Sequence, residues 1–252
     1  MLTGACLPVS AAQAGDDASG NAPLHLSLGP AFYTTARYPG ATTDRTWVFP
    51  FVDAEYGHRY YISGSDLFGV YAWKSDTAQS GVAIDLDPTE RRPHDDARLR
   101  QLPAVKDTAR LKLFASQTFG FVTVDASIAT DILGRGHGTT AQANLWATLP
   151  LGRNLSINAG PGADWTDGRS MRTFFAVTPR QAAASPGLFA FSPHAGLLDA
   201  HMNLLAEWQF LSRYRLGVQA SIAHLKGDAA DSPITRQRTQ RSLMGWVAYT
   251  FR

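Results

Sequence analysis

The sequence is poor in charged residues, nearly free of cysteine and without any long apolar run. Charged residues make up 17% of its 252 residues, whereas about 25% is typical of soluble domains. No segment approaches the roughly 18 consecutive apolar residues of a membrane-spanning helix, which excludes an α-helical membrane protein. The net charge is +2 with no block of Lys or Arg, so a nucleic-acid partner is not expected. The single cysteine, Cys6, excludes an intramolecular disulfide.

Residues 1–14 (MLTGACLPVSAAQA) resemble the end of a secretory signal peptide. Ala12-Gln13-Ala14 has the small-x-small pattern at which signal peptidase cuts, but a basic n-region and a longer apolar core are missing. We therefore expect 1–14 to be the remnant of a longer signal and 15–23 to be a flexible N-terminal segment. The alternative is an Ala-rich N-terminus with no role in export.

Apolar and polar residues alternate along several long segments, most clearly over 197–210. One face of this segment carries Leu198, Ala200, Met202, Leu204, Ala206, Trp208 and Phe210. The other face carries the residues that we expect to line a lumen, Asp199, His201, Asn203, Glu207 and Gln209, with Leu205 as the exception. Side chains of a strand point alternately to its two faces, so the pattern predicts a strand with one apolar and one polar side.

Twelve such strands are predicted, and their connections alternate between short and long. The strands fall near 24–33, 46–55, 58–64, 67–74, 79–87, 106–117, 120–130, 138–149, 153–164, 197–210, 213–225 and 240–251. An even strand count with short periplasmic turns and long outer loops is typical of outer-membrane barrels. The predicted fold class is therefore all-β, a closed antiparallel transmembrane β-barrel over 24–252. Prolines inside predicted strands keep ten or fourteen strands open as alternatives.

Aromatic residues collect near the predicted strand ends. The groups are Trp208/Phe210, Tyr249/Phe251 and Trp47/Phe49/Phe51. Girdles of aromatic side chains mark the two membrane interfaces of outer-membrane barrels. We expect these groups to form such girdles.

Several segments resemble the MipA/OmpV family of outer-membrane proteins. They are LSLGPAFYTTARYPGATTDRTWVFPFVDAEYGHRYYIS (26–63), FFAVTPRQAAAS (174–185), GLLDA (196–200) and GDAADSPIT (227–235), followed by a C-terminal strand rich in aromatic residues. The segments occur in the family's order and span nearly all of the chain after 1–23. Barrels of this kind usually end in an aromatic residue, whereas here Arg252 follows Phe251. We expect that departure to weaken the insertion signal without removing it.

The resemblance implies an outer-membrane barrel without catalytic residues. One family branch is described as a scaffold that links a murein-cleaving lytic transglycosylase to a bifunctional penicillin-binding protein. Other members are described as surface antigens, or in connection with adhesion or with stress and antibiotic response. The resemblance therefore implies periplasmic murein enzymes as partners and no cofactor.

Two acidic segments of the outer connections are candidates for cation binding. His94-Asp95-Asp96 lies among Arg and Glu residues in 88–105, where carboxylates and imidazole could bind a divalent cation. The favoured interpretation is a solvated loop whose mixed charges meet lipopolysaccharide. Asp228 and Asp231 lack the EF-hand spacing of a Ca²⁺ site, so we expect them to hold their loop through bonds to backbone N–H groups. No metal site is expected.

The 32-residue connection 165–196 is the most distinctive loop. Pro179 followed by Gln181 and three alanines predicts a short helical turn. The loop is too apolar to be freely solvated, so we predict that it folds over or into the barrel mouth and gates it. The candidate gating residues are Phe174, Phe175, Thr178, Pro179, Gln181, Phe189 and Phe191. The alternative is a loop that packs on its neighbours without a gating role.

The favoured function is a non-enzymatic scaffold in the outer membrane, in contact with membrane lipids and lipopolysaccharide. A narrow channel or a surface-exposed adhesin is the second hypothesis. The third is an outer-membrane lipid hydrolase, which would need a Ser, a His and a carboxylate to converge at the outer rim. The chain contains no G-x-S-x-G motif in support of that third hypothesis.

Overall fold

The computed structural model describes residues 24–251, which form a closed barrel of twelve antiparallel strands. The strands are β1 Leu24–Ala36, β2 Asp44–Tyr56, β3 Tyr60–Ser63, β4 Asp66–Lys74, β5 Ala78–Asp87, β6 Thr108–Phe119, β7 Val122–Asp131, β8 Thr139–Leu151, β9 Leu155–Thr166, β10 Gly196–Phe210, β11 Tyr214–Leu225 and β12 Thr239–Phe251. Each strand pairs with its neighbours in sequence, and β1 pairs with β12 to close the ring. The predicted twelve-strand barrel is confirmed. The predicted segments 1–14 and 15–23 and the terminal Arg252 lie outside the described residues.

Alternation decides which side chains face the interior. On β6, Arg110, Lys112 and Phe114 are buried, while Leu111 and Leu113 between them are exposed on the outer wall. The same holds on β7 and β8, where the apolar residues at every second position face outward, as predicted. In hydrocarbon each backbone polar group needs a partner, and a closed ring of paired strands supplies all of them. The apolar outer wall and the polar interior therefore both follow from the period of two.

The long connections all lie at one end of the barrel and carry the helical segments. These are a 3₁₀ turn at Ala97–Leu99 and the helices α1 Gly168–Phe175, α2 Pro179–Ala184 and α3 Gly227–Asp231. The other end has tight turns, three of which use a glycine with positive φ (Gly57, Gly120 and Gly152). Within residues 24–251 no helix is long and apolar enough to span a membrane. We call the two ends the loop end and the turn end.

Two groups of predicted outward-facing residues instead face the interior. The register between β9 and β10 shifts between Leu197 and Asp199, so Leu198 turns inward and is completely buried. A bulge adds one residue to a strand, which moves the next side chain to the opposite face. On β2 the predicted girdle group Trp47/Phe49/Phe51 shares the inner face, and Phe51 stacks on Trp246 with ring centroids 5.3 Å apart. The girdle prediction was wrong for this group because its alternation points it into the lumen.

Candidate functional site

One half of the interior is filled by ion pairs between β4, β5 and β6. Arg110 donates from Nε to Asp85 Oδ1 at 3.0 Å and from Nη1 to Asp87 Oδ2 at 3.1 Å. Lys112, the next inward residue of β6, forms a short ion pair with Asp66. All five side chains are buried. Buried ions are tolerated only when they are paired and hydrogen-bonded, and this arrangement meets both conditions.

The other half holds a cluster of three aspartates and one histidine on β7, β9 and β10. The aspartate–histidine cluster consists of Asp125, Asp164, Asp199 and His201, all buried. His201 Nδ1 lies 2.8 Å from Asp199 Oδ1, and His201 Nε2 donates to Asn144 Oδ1 at 2.9 Å. Asp199 and Asp164 face each other in the register of β9 and β10. Two carboxylates and the imidazole thus meet beneath the loop end, and Asn144 links them to Asp125.

Gly162 makes the contact between β8 and β10 possible. It is paired with Asn144 on one side and with His201 on the other. A Cβ at this position would collide with both Asn144 Oδ1 and His201 Nε2. The glycine therefore lets the imidazole reach across β9 to the amide of Asn144.

An apolar layer lies inside the barrel, with members on β1, β2, β8, β10 and β12. It consists of Ala31, Phe51, Trp146, Leu205, Trp246 and Ala248. Phe51 is on β2 and Trp146 on β8, which are half a turn apart in the ring of twelve strands. The Trp146 indole N–H donates to Asp125 Oδ2 at 2.6 Å, so the layer is tied to the aspartate–histidine cluster. The layer therefore fills part of the lumen at this level.

The loops close the loop end with a second packed region, which we call the mouth cluster. One part joins α1 to the barrel wall through Val105, Met171, Phe174, Phe175, Leu198, Leu225 and Ala229. The other part joins four loops through Tyr38, Ala41, Leu99, Leu102, Val177, Leu188 and Ile234. Buried Arg91 connects segment 88–105 to α1, because it donates a hydrogen bond to Phe174 O at 2.6 Å. The mouth is therefore covered by side chains that pack as a protein core.

The predicted gating residues divide between the mouth cluster and the surface. Phe174 and Phe175 are almost completely buried, whereas Phe189 is 57% exposed. Phe191 is half-buried, and its backbone forms an isolated bridge with Val177. The predicted helical turn is confirmed as α2, where Thr178 and Gln181 form a reciprocal capping box and Pro179 occupies the first turn. Whether the loop gates anything stays a prediction.

The predicted lumen-facing residues of β10 lie at different depths. Asp199, His201 and Asn203 are buried within the interior networks. Glu207 is half-buried, and Gln209 is exposed near the turn end, where it donates to Ser212 O at 3.1 Å. The structure thus brings the first three together and leaves Gln209 apart.

Segment 88–105 packs partly over the mouth, so its interpretation as a solvated loop holds only for its exposed residues, among them Arg92, His94 and Arg100. The Asp95 carboxylate is fully buried and pairs with Arg45 at 2.8 Å. Leu99 and Leu102 insert into the mouth cluster. Its charged side chains pair both within the segment, as in Arg98–Asp96, and with the barrel wall, as in Arg45–Asp95.

Asp228 and Asp231 bond to residues of other segments. Asp228 Oδ2 accepts from the backbone N–H of His194 at 2.7 Å, and Asp231 pairs with Arg238. The expectation of bonds to backbone N–H groups is thus met only by Asp228, and its partner lies in the neighbouring loop. The segment itself folds as α3, which the sequence pattern did not predict.

Three groups of the mouth have perturbed pKa values. Burial raises the pKa of Tyr38 to about 12 and lowers the pKa of Arg91 to about 10. Burial also raises the pKa of Asp96, but the hydrogen bonds and charge of Arg98 and a bond from Arg236 outweigh it and lower this pKa to about 2. Asp96 is therefore ionised at neutral pH.

Asp96 should stabilise the mouth in a pH-dependent way. A carboxyl group whose pKa falls from about 3.9 on folding adds stability above the higher value and loses it as the pH drops through the lower one. We expect Asp96→Asn to lower the free energy of unfolding at neutral pH. The difference from the wild type should shrink between about pH 4 and about pH 2. Urea unfolding in lipid vesicles at these pH values measures it, and a difference independent of pH would contradict the role of the charge.

Several residues of the site were not singled out from the sequence. Alternation along Arg-Leu-Lys-Leu-Phe would have placed Arg110 and Lys112 inside, but their partners depend on strand register. Asp164 gave no signal, because it follows Pro161 and two small residues in a weakly alternating segment. Arg91 lies in a loop without periodicity. These residues become visible only in three dimensions.

Comparison with known proteins places this geometry in context. The chain matches the family described as MltA-interacting protein MipA over residues 28–251. A protein of Escherichia coli K12 named "Putative outer membrane protein YiaT" is 22% identical over 231 residues, which cover 90% of this chain and 91% of the relative. The Escherichia coli O157:H7 protein of that name is 23% identical over 229 residues, with 90% and 91% covered.

Two solved structures of outer-membrane proteins also align with most of the chain. An outer membrane channel from Pseudomonas putida F1 aligns with a TM-score of 0.45 and 13% identity, covering 94% of this chain and all (100%) of the channel. An anion-selective porin from Comamonas acidovorans aligns with a TM-score of 0.40 and 9% identity, covering 92% of this chain and 99% of the porin.

Proposed function

This chain belongs to the MipA family and is an outer-membrane β-barrel, and we propose that it acts as a closed scaffold for a murein-remodelling enzyme. The observation that carries the proposal is the obstructed interior. An apolar layer joins Phe51 and Trp146 from opposite walls, and the mouth cluster lies above it. A barrel filled in this way is suited to presenting a surface rather than to passing solutes.

The description of the family, MltA-interacting protein, supports a murein enzyme as the partner. Such a partner would reach the barrel from the periplasm, at the turn end. Exposed arginines occupy three of the turns there, at Arg59, Arg153 and Arg213. Phe121 and Leu211 beside them are 70% and 79% exposed. A basic surface with exposed apolar side chains suits a protein partner with an acidic rim.

A binding measurement tests the scaffold. The purified full chain in detergent, immobilised through an engineered tag, should retain the lytic transglycosylase of the same organism. Replacing Arg59, Arg153 and Arg213 by Glu should weaken that retention, and more strongly at low salt because the attraction is electrostatic. The matched control reverses three exposed arginines of the loop end, Arg100, Arg169 and Arg180, and should leave retention unchanged. If the wild type retains neither the transglycosylase nor the penicillin-binding protein, the scaffold proposal is contradicted.

A narrow channel gated by the loop 167–195 is the second candidate function. It is favoured by a cavity of about 50 Å³ beneath the loops. The charged side chains of Glu90, Asp199 and Arg241 lie among apolar ones in its lining. Under this hypothesis Phe174 and Phe175 swing out of the mouth to admit a small solute.

A catalytic role is not part of the proposal. The ring nitrogens of the buried His137 and His201 bond to aspartates, to a backbone carbonyl and to Asn144. Within residues 24–251 the structure shows no serine hydroxyl bonded to either imidazole. The exposed His194–Asp228 pair at the loop end likewise bonds no serine in that part of the chain.

A further inference from the structure

The buried charges of the interior do not balance locally. Asp85 and Asp87 are paired with Arg110, and Asp66 is paired with Lys112. Across residues 24–251, the remaining buried aspartates form no ion pair with any Lys or Arg. They are the three of the aspartate–histidine cluster, and they share one histidine, His201. An excess of buried negative charge without a cationic partner is costly, so a bound cation would stabilise it.

Acceptor atoms at the cluster lack donors. Asp164 is only 6% exposed, and its Oδ1 has no hydrogen-bond partner. Asn203 Oδ1, on the adjacent inward position of β10, is also buried and unpartnered. One ligand atom each from Asp164, Asp199 and His201 lie within 4.8 Å of one another. Buried oxygens without a donor at such a cluster favour a cation there rather than another acceptor.

The imidazole of His201 is held in the orientation of a metal ligand. Asn144 Nδ2 donates to Asp125 Oδ1 at 2.9 Å, which turns Asn144 Oδ1 toward the histidine. His201 Nε2 therefore carries the proton that it donates to Asn144 Oδ1. A histidine that binds a metal through one nitrogen almost always donates its other N–H to such an oxygen. Nδ1 is left to face the carboxylate of Asp199.

We propose that Asp164, Asp199 and His201 bind one divalent transition-metal ion of the Zn²⁺ class inside the barrel. Two carboxylates and one imidazole are ligands that Zn²⁺ accepts at about 2.0–2.2 Å, whereas Ca²⁺ and Mg²⁺ prefer oxygen alone. The metal takes the place of the proton between His201 Nδ1 and Asp199 Oδ1, so one proton leaves for each ion bound. Asp199 also lines the cavity beneath the loops, so the proposed site adjoins that cavity. The proposal is independent of the scaffold function.

Metal titration of the purified full chain in detergent tests the site. Isothermal calorimetry with ZnCl₂ should show one saturable site per barrel. Repeating it in two buffers of different ionisation enthalpy should show release of one proton. Loss of a residue that only supports a metal ligand typically weakens metal binding about 10–100-fold. His201→Gln and Asp164→Asn each remove a proposed ligand, so each should weaken Zn²⁺ binding at least that much. His224→Gln is the matched control, because His224 is exposed at the same end and bonds only to Thr239 among the described residues.

The outcomes separate the site from other metal binding. Zn²⁺ affinity unchanged in both His201→Gln and Asp164→Asn, or no saturable site in the wild type, would overturn the proposal. X-ray absorption of the Zn²⁺-loaded wild type needs no variant, so it decides the matter even if a substitution prevents folding. It should show one imidazole among oxygen ligands. A sulfur ligand, or a shell without imidazole, would place the ion elsewhere.

Discussion

Replacing Arg110 by methionine should lower the free energy of unfolding by about 3–5 kcal/mol, the usual cost of removing one partner of a buried ion pair. Arg110 is buried between Asp85 and Asp87, and its guanidinium donates to both carboxylates. Methionine fills a similar volume but leaves two carboxylates in the interior without a cation. The effect should be large because neither carboxylate can reach water without opening the barrel wall.

Urea unfolding of the barrel in lipid vesicles measures this loss. Arg135→Met is the matched control, since Arg135 pairs with Asp107 at 3.1 Å but both side chains are well exposed. An exposed pair contributes about 0–1 kcal/mol, so this control should unfold almost like the wild type. Adding Asp85→Asn and Asp87→Asn to Arg110→Met should recover part of the loss, because the uncompensated charges are then gone. Equal effects of Arg110→Met and Arg135→Met would show that the interior is hydrated.

Most of the barrel could be predicted from the sequence because a strand's period of two is a local property. β7 and β8 alternate without interruption. Their inward faces agree with the prediction, and their bounds agree with it to within two residues. Leu198 was misplaced because a bulge depends on how β9 and β10 are paired, which one strand's sequence does not contain. The group Trp47/Phe49/Phe51 was misplaced because a large aromatic suits either a girdle or a filled lumen, and only its register on β2 decides between them.

The site could be predicted only in fragments. Asp199 and His201 were recognised as polar residues on one face, but their joining to Asp164 and Asn144 requires three adjacent strands in register. Gly162 has no pattern around it, yet its missing side chain allows that contact. Arg91 and Asp95 looked like ordinary loop charges because their burial depends on loops that meet only when the ring closes. Such long-range pairings are a property of the closed barrel.

Two separate obstructions should make the barrel non-conducting, and removing only one should not open it. Deleting 174–191 and joining the ends with a short Gly/Ser linker removes the buried phenylalanines of the mouth cluster. The apolar layer beneath it remains, with Phe51 stacked on Trp246 and Trp146 packed from the opposite wall. Truncating Trp146 and Trp246 to alanine removes that layer but leaves the mouth covered. We therefore expect steady single-channel conductance in planar bilayers only when the deletion and both truncations are combined.

The four proteins of this cycle decide between a scaffold and a gated channel. The matched control adds Trp165→Ala and Trp208→Ala to the deletion, since both residues are exposed on the outer wall, and it should stay silent. Each buried Trp→Ala change costs about 3–5 kcal/mol, so heat-modifiable electrophoretic mobility must first show that every variant is a folded barrel. Steady conductance from the deletion alone would make the loop the sole barrier and favour the gated channel. The scaffold is favoured if the wild type and both partial variants do not conduct while the combined variant does. That result requires the apolar layer to seal the lumen by itself, which a barrel that serves as a scaffold would need.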